Sequence, residues 1–210
     1  MKILFISLGC DKNLADSEEM LGLLTGNGHE IVDSEEEADA IVINTWCFIH
    51  DAKEESVNTI LEMAEYKKTG TCKILIVTGC MAQRYKEEIT EEIPEVDAVL
   101  GTTSYGDIVK ALNEAEAGHV FQEFKDINAL PEDSGRRVIT TGGHFGYLKI
   151  AEGCDKHCTY CIIPSLRGKF RSVPEERLLK QAEYMASQGV RELILVAQET
   201  TVYGTDLYGK

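Results

Sequence analysis

Short apolar runs alternate with stretches of helical period along this chain, the pattern of βαβ units built around a parallel sheet. Lys2 to Leu8 reads as a first buried strand. The helix after it is expected to take Asn13 as its N-cap, with Asp16 three positions on, and to stop at Gly26-Asn27-Gly28. A short strand near His29 to Val32 and a stronger one at Ala40 to Asn44 come next. Asp51 to Lys68 places Val57, Ile60, Leu61 and Ala64 on one helical face. Lys73 to Thr78 is a further buried strand, Met81 to Ile93 a helix ending before Pro94, and Val96 to Leu100 with Tyr105 to Asn113 completes the unit.

From about Glu114 to Gly143 the periodicity fades while Gly, Pro and charge accumulate, as in an interdomain connection with room for one short strand. A second βαβ pattern follows: Tyr147 to Ala151, then a helix over Pro174 to Gln188 opened by a Ser172/Glu175 capping box, then Glu192 to Val196. The expected fold class is therefore α/β. An N-terminal parallel-sheet domain spans 1–116, a connection 117–143, and the start of a second βα domain 144–210. One βαβ unit cannot close a barrel or cover both faces of its sheet, so that second domain reads as truncated.

Composition narrows the function classes. With 210 residues, 43% of them apolar, the chain can bury a core, and 36 acidic against 21 basic side chains give a net charge of -15. Such a surface repels phosphate backbones and suits a basic partner. The opening MKILFISLGC is too short an apolar run for a secretory signal, and no stretch approaches the roughly 18 apolar residues of a membrane span. The expected compartment is the cytoplasm, where seven cysteines point to metal binding or reactivity and not to disulfides.

Those cysteines are ordered. Cys10, Cys47, Cys80 and Cys154 each follow the carboxyl end of an expected parallel strand, and such ends share one edge of the sheet, where ligands bind. Cys10, Cys47 and Cys80 can thus meet in one crevice. Gly9, Gly79 and Gly153 directly precede three of the four and permit a sharp turn, and the loops lead into helix N-termini that favour thiolates. Cys72 precedes its strand and reads as packing. Cys154, Cys158 and Cys161, spaced C-x3-C-x2-C, can wrap a cubane cluster and leave one of its four irons without a protein ligand. The competing reading is a structural zinc with His157 as fourth ligand.

That spacing, with an aromatic before the last Cys and a strand before the first, resembles the radical S-adenosylmethionine superfamily. The likeness extends along the chain: SLGCDKNLADSE, INTWCFIHDAKEES, VTGCMAQRY, LKIAEGCDKHCTYCIIPSLRGKFRS and LVAQETTVYGTDLY are similar to the methylthiotransferases. The SLGC-x-KN start resembles the RimO branch, which modifies an aspartate of ribosomal protein S-twelve, more than the MiaB branch, which acts on tRNA. The resemblance implies a transferase with two 4Fe-4S clusters. Cys154, Cys158 and Cys161 would hold the cluster that binds S-adenosyl-L-methionine, with Tyr160, Gln198 and Glu199 as contacts to that cofactor. Cys10, Cys47 and Cys80 would hold an auxiliary cluster carrying the sulfur that is transferred. It also implies ribosomal protein S-twelve or the small ribosomal subunit as partner, an electron donor, no membrane, and tRNA as the lesser alternative.

The second segment departs from the family pattern, Asn-Thr-Cys followed by a small residue. Here it runs Asn44-Thr45-Trp46-Cys47. One residue along an extended chain is about 3.3 Å and turns the side chain to the other face. Either the loop shifts register and Cys47 serves, or Trp46 intrudes and only Cys10 and Cys80 remain. Val173 stands where a second Arg is usual and Glu199 where Asp is common. Arg167, Lys169 and Arg171 read as a solvated basic loop, and His29, His50, His119 and His144 as isolated surface positions. Against the enzyme stands a module whose cysteines hold zinc without catalysis.

Overall fold

The structure, a computed structural model, describes residues 1–132 and 134–209; Asp133, within the expected connection, and Lys210, within the expected second domain, lie outside the described residues. Six strands form a wholly parallel sheet: β1 (Lys2–Ser7), β2 (Glu30–Val32), β3 (Ala40–Thr45), β4 (Ile74–Gly79), β5 (Ala98–Leu100) and β6 (Phe121–Glu123), in the order β2-β1-β3-β4-β5-β6. The crossovers are helices α1 (Asp11–Gly26), α2 (His50–Thr69), α3 (Cys80–Arg84), α4 (Lys86–Glu92) and α5 (Ile108–Glu116).

β3 and β4 are buried at every position because alternate side chains enter opposite cores. Ile41, Ile43, Leu75 and Val77 join Ile60, Ala64 and Ile89 under α2 and α4. Ala40, Val42, Ile74 and Ile76 join Met20, Ile108 and Leu112 under α1 and α5. A parallel sheet covered on both faces therefore reads as continuous apolar runs.

The second part contains β7 (Phe145–Lys149), β8 (Ala151–Glu152), α6 (Ile163–Arg167), β9 (Arg171–Ser172), α7 (Glu175–Ser187), β10 (Glu192–Val196) and α8 (Thr205–Tyr208). β7 pairs in parallel with β10, and β8 antiparallel with β9. A small core of Leu148, Ile150, Val173, Leu178, Met185 and Val190 supports them, so Val173 is a packing residue. Leu193, Ile194 and Leu195 of β10 are exposed.

Several local expectations are corrected. Cys10, and not Asn13, is the N-cap of α1; Asn13 lies inside the helix and its amide donates to the Leu8 and Thr45 carbonyls at 3.2 and 3.0 Å. The helix expected over Met81 to Ile93 breaks at Tyr85, whose φ of -121° and ψ of 37° leave the helical region while its ring packs on the first core. Ser172 caps nothing. It belongs to β9, its hydroxyl accepts from the Gly204 amide at 2.8 Å, and α7 is capped by Pro174. The strand expected over Tyr147 to Ala151 divides between β7 and β8. Leu61, expected on the buried face of α2, is 48% exposed.

The stretch expected to connect two domains is firmly held. β6 extends the first sheet by pairing with β5, and Arg137 is buried, its guanidinium on Glu18 of α1 at 2.6 Å and on the Tyr147 carbonyl at 2.7 Å. Among the described residues no helix is long and apolar enough to cross a membrane.

Candidate iron-sulfur sites

Both cysteine groups lie where parallel strands end. β1 delivers Cys10 to the N-cap of α1, β4 delivers Cys80 to the first residue of α3, and β3 ends at Thr45, two residues before Cys47. The turn into Cys80 needs Gly79. Its φ is 94°, and a Cβ there would strike the Asn44 side chain and the Thr45 backbone.

Cys80 stands between the other two. It is buried, its Sγ lies 3.9 Å from the Asn13 Oδ1, and it is close enough to Cys10 and Cys47 for their charges to act on one another. Burial raises the Cys80 thiol, and the Arg167 guanidinium nearby offsets that only in part. Cys47 differs. Its thiol donates to the Cys80 carbonyl at 3.2 Å and lies in the apolar core with Met81 and Leu166. That burial, reinforced by Cys80, pushes it up to about 11.

Trp46 takes the outward position. Its Cβ would meet a Cβ at Gly9 at 3.1 Å, which places it against the turn that carries Cys10. The indole packs against Phe48 with ring centres 5.1 Å apart and planes tilted by 59°, and donates to Glu55 at 2.5 Å. Trp46 therefore begins beside the Gly9 turn and carries its indole out to Phe48 and Glu55, while Cys47 faces the core. Cys47 and Cys80 both lie in the apolar core, and only Cys10 is partly open to solvent, so as placed the trio does not present three accessible thiols to an auxiliary iron-sulfur cluster.

The second group fits better. Cys154 is half-buried and Cys158 and Cys161 are exposed, all as free thiols on one loop past β8. The loop is shaped by backbone: the Cys154 amide donates to the Gly168 carbonyl at 3.2 Å and the Cys161 amide to the Cys158 carbonyl at 2.9 Å. Gly153 has φ 72° and approaches the Gly168 and Lys169 carbonyls more closely than a Cβ permits. His157 holds φ 47°, a strained value for a residue with a side chain, and its ring is exposed. Three soft, accessible thiols at this spacing suit iron-sulfur ligation. Among the described residues, no three His, Cys, Asp or Glu side chains converge as they would on a single metal ion.

A cavity of about 330 Å³ adjoins this loop, lined by Asp155, Lys156, Phe170, Glu199 and Asp206 among others. Glu199 faces Lys156 at 3.8 Å and accepts from Thr201. The neighbouring Gln198 has a buried Oε1 with no partner among the described residues. Tyr160, expected beside the cofactor, is 91% exposed.

Periodicity alone misses the charges behind both groups. Arg167, expected in a solvated loop, is 3% exposed and donates to Asp16 at 2.8 Å and to Asn13 at 2.5 Å, with Glu152 at 3.4 Å. Lys149 pairs with Asp16 and with Glu152. Burial pushes the Glu152 carboxyl up, but Lys149 and Arg167 outweigh it and hold it at about 2. The available signal was position: Glu152 and Lys149 flank a strand end, and Asp16 follows Asn13 on the face of α1 turned to the second part. Of the remaining basic stretch, Lys169 is exposed and Arg171 half-buried.

Comparison with known proteins gives matches in both parts of the chain. Residues 2–101 match the uncharacterized protein family UPF0004 and residues 148–208 the radical SAM superfamily. The chain is 66% identical, over all of its 210 residues, to the ribosomal protein uS12 methylthiotransferase RimO of Lachnoclostridium phytofermentans, covering 48% of that protein. It is 51% identical over 210 residues to the protein of that name from Clostridioides difficile, again along its full length and covering 47% of the relative. For the one from Acetivibrio thermocellus the figures are 50% over 216 residues, the whole chain and 48% of the relative. The chain spans about half the length of the curated relatives it matches. Over its full length the chain is thus similar to the first half of proteins named as uS12 methylthiotransferases, with a radical SAM match confined to residues 148–208.

Proposed function

We propose that this chain serves a methylthiotransferase reaction placing a methylthio group on the β-carbon of an aspartate in ribosomal protein uS12. The observation that carries the reading is the loop of three free thiols, Cys154, Cys158 and Cys161, beside a lined cavity, in a chain 66% identical to a uS12 methylthiotransferase. In this reading those three residues hold a 4Fe-4S cluster. Gln198 and Glu199 at the end of β10 bind and orient S-adenosyl-L-methionine in the cavity, and Tyr160 covers it. When bound, cluster and cofactor supply the electron and the radical that no side chain can provide.

The chain's own contribution is placement. The Gly153 turn presents Cys154, Lys156 balances the Glu199 carboxylate, and the buried Arg167, Asp16, Lys149 and Glu152 fix the cysteine loop against α1. Residues 1–116 form the N-terminal domain, 117–143 the strap that ties it down, and 144–210 the opening of the radical domain. Cys10, half-buried at the N-cap of α1, is the N-terminal thiol nearest solvent, with Cys80 buried beside it. The protein works in the cytoplasm with an electron donor and the small ribosomal subunit.

Anaerobic reconstitution with iron and sulfide, followed by S-adenosyl-L-methionine, a reductant and uS12, tests the reading. Expected of the chain are about four irons and binding of S-adenosyl-L-methionine; 5'-deoxyadenosine release and a methylthio mass gain on one uS12 aspartate are expected only of the protein at its relatives' full length with the N-terminal cluster restored by Trp46→Cys. Modification of tRNA in place of uS12, or a colourless protein with stoichiometric zinc, overturns it.

A further inference from the structure

Between α2 and α4 runs a groove of about 530 Å³ that neither cysteine group uses. Its floor is apolar: Val57 and Leu61 from α2, Met81 from α3, and Ile89 from α4. Leu61 explains nothing inside the fold, since it is 48% exposed on a helix whose buried contacts come from Ile60, Met63 and Ala64. Its rim is acidic. Glu54, Glu88 and Glu92 line it, all exposed, against Lys53 and His50 in the first turn of α2. Among the described residues Glu88 and Glu92 form no ion pair, while Glu54 meets only His50, at 3.9 Å. One end lies at the thiol corner, because Met81 follows Cys80 and α2 begins three residues after Cys47, past the exposed Phe48 and Ile49.

We infer that this groove docks a basic, amphipathic segment of the protein substrate, its apolar side chains on the floor and its lysines or arginines on the rim. The inference rests on the uS12 reading above. A ribosomal protein must neutralise RNA phosphates and is rich in such cations, and the groove offers unpaired carboxylates around an apolar slot, the complement of an amphipathic helix or strand. Its position gives the docking a purpose, since a segment seated there holds the rest of the substrate beside the strand ends where the cysteines gather.

The test is binding of purified uS12 to the chain and its variants across a salt series. Leu61→Asp alters the floor at an exposed position, and Glu88→Lys with Glu92→Lys reverses the rim. Both are expected to weaken binding by about tenfold or more, and the rim variant to flatten the salt dependence. Glu114→Lys with Glu116→Lys, on α5 across the sheet, changes net charge equally and is expected to stay within about twofold. Groove variants that bind as wild type does overturn the docking surface and leave the uS12 reading standing. Wild type that prefers tRNA, or binds neither, overturns both. A fall in sedimentation mass on Leu61→Asp, from dimer to monomer, assigns the groove to a second copy and also overturns the inference.

Discussion

At the turn that follows β3 a tryptophan precedes the cysteine: Trp46 leaves the Gly9 turn for Phe48 and Glu55, and the Cys47 thiol faces the core. Trp46→Cys should therefore raise the iron bound on anaerobic reconstitution from about four per chain to about eight. Cys47→Ala should leave the count of the parent unchanged, because its thiol is directed into apolar packing. Iron and sulfide assays read both. Glu19 offers a pH test. Its Oε2 is buried without a partner among the described residues, and burial raises its pKa above the ordinary 4.5 despite Lys149, Arg177 and Arg137, with Asp16 adding to the rise. A carboxyl raised in the folded state binds its proton more tightly there than when unfolded. Its contribution is thus complete below about pH 4.5 and lost as pH climbs through the raised value. Melting temperatures of Glu19→Gln should exceed those of the parent by a margin that widens from about pH 4.5 upward.

The central strands were legible as elements because a doubly covered parallel sheet writes itself as apolar runs, and β3 and β4 fall where those runs are. The glycines before Cys10, Cys80 and Cys154 announced the turns. Gly79→Ala, forced into the Asn44 side chain and the Thr45 backbone at positive φ, should cost about 1–3 kcal/mol in a denaturant titration and disturb the Cys80 corner first. Less legible was what depends on partners remote in sequence. Asn13 looks like a cap by composition, but its amide is taken by the Leu8 and Thr45 carbonyls. The break at Tyr85 reflects ring packing, and β6 is recruited by a free sheet edge that periodicity cannot show. The C-x3-C-x2-C segment was legible as one loop past a strand end, since its three thiols are close in sequence; the placement of the N-terminal trio was less so, because which way Cys47 turns is decided by packing.

At the scale of the molecule, the two parts meet through charge. Asp16 and Glu18 of α1 face Lys149, Arg167 and Arg137 from beyond the sheet, all nearly excluded from water. Sequence reading assigns charges to the surface by default, which is why this seam escaped it. Arg167→Met leaves Asp16 and Glu152 short of a partner and should destabilise the chain by about 3–5 kcal/mol, measured by chemical denaturation, with unfolding of both parts shifting together.

That seam limits how the molecule can be re-engineered or can drift. Exchanging α1 alone for the counterpart of a distant homologue would strand lysine and arginine side chains opposite whatever residues arrive. A working chimaera must transplant Asp16 and Glu18 together with Arg137, Lys149 and Arg167, five positions scattered over most of the chain that behave as a single inherited unit.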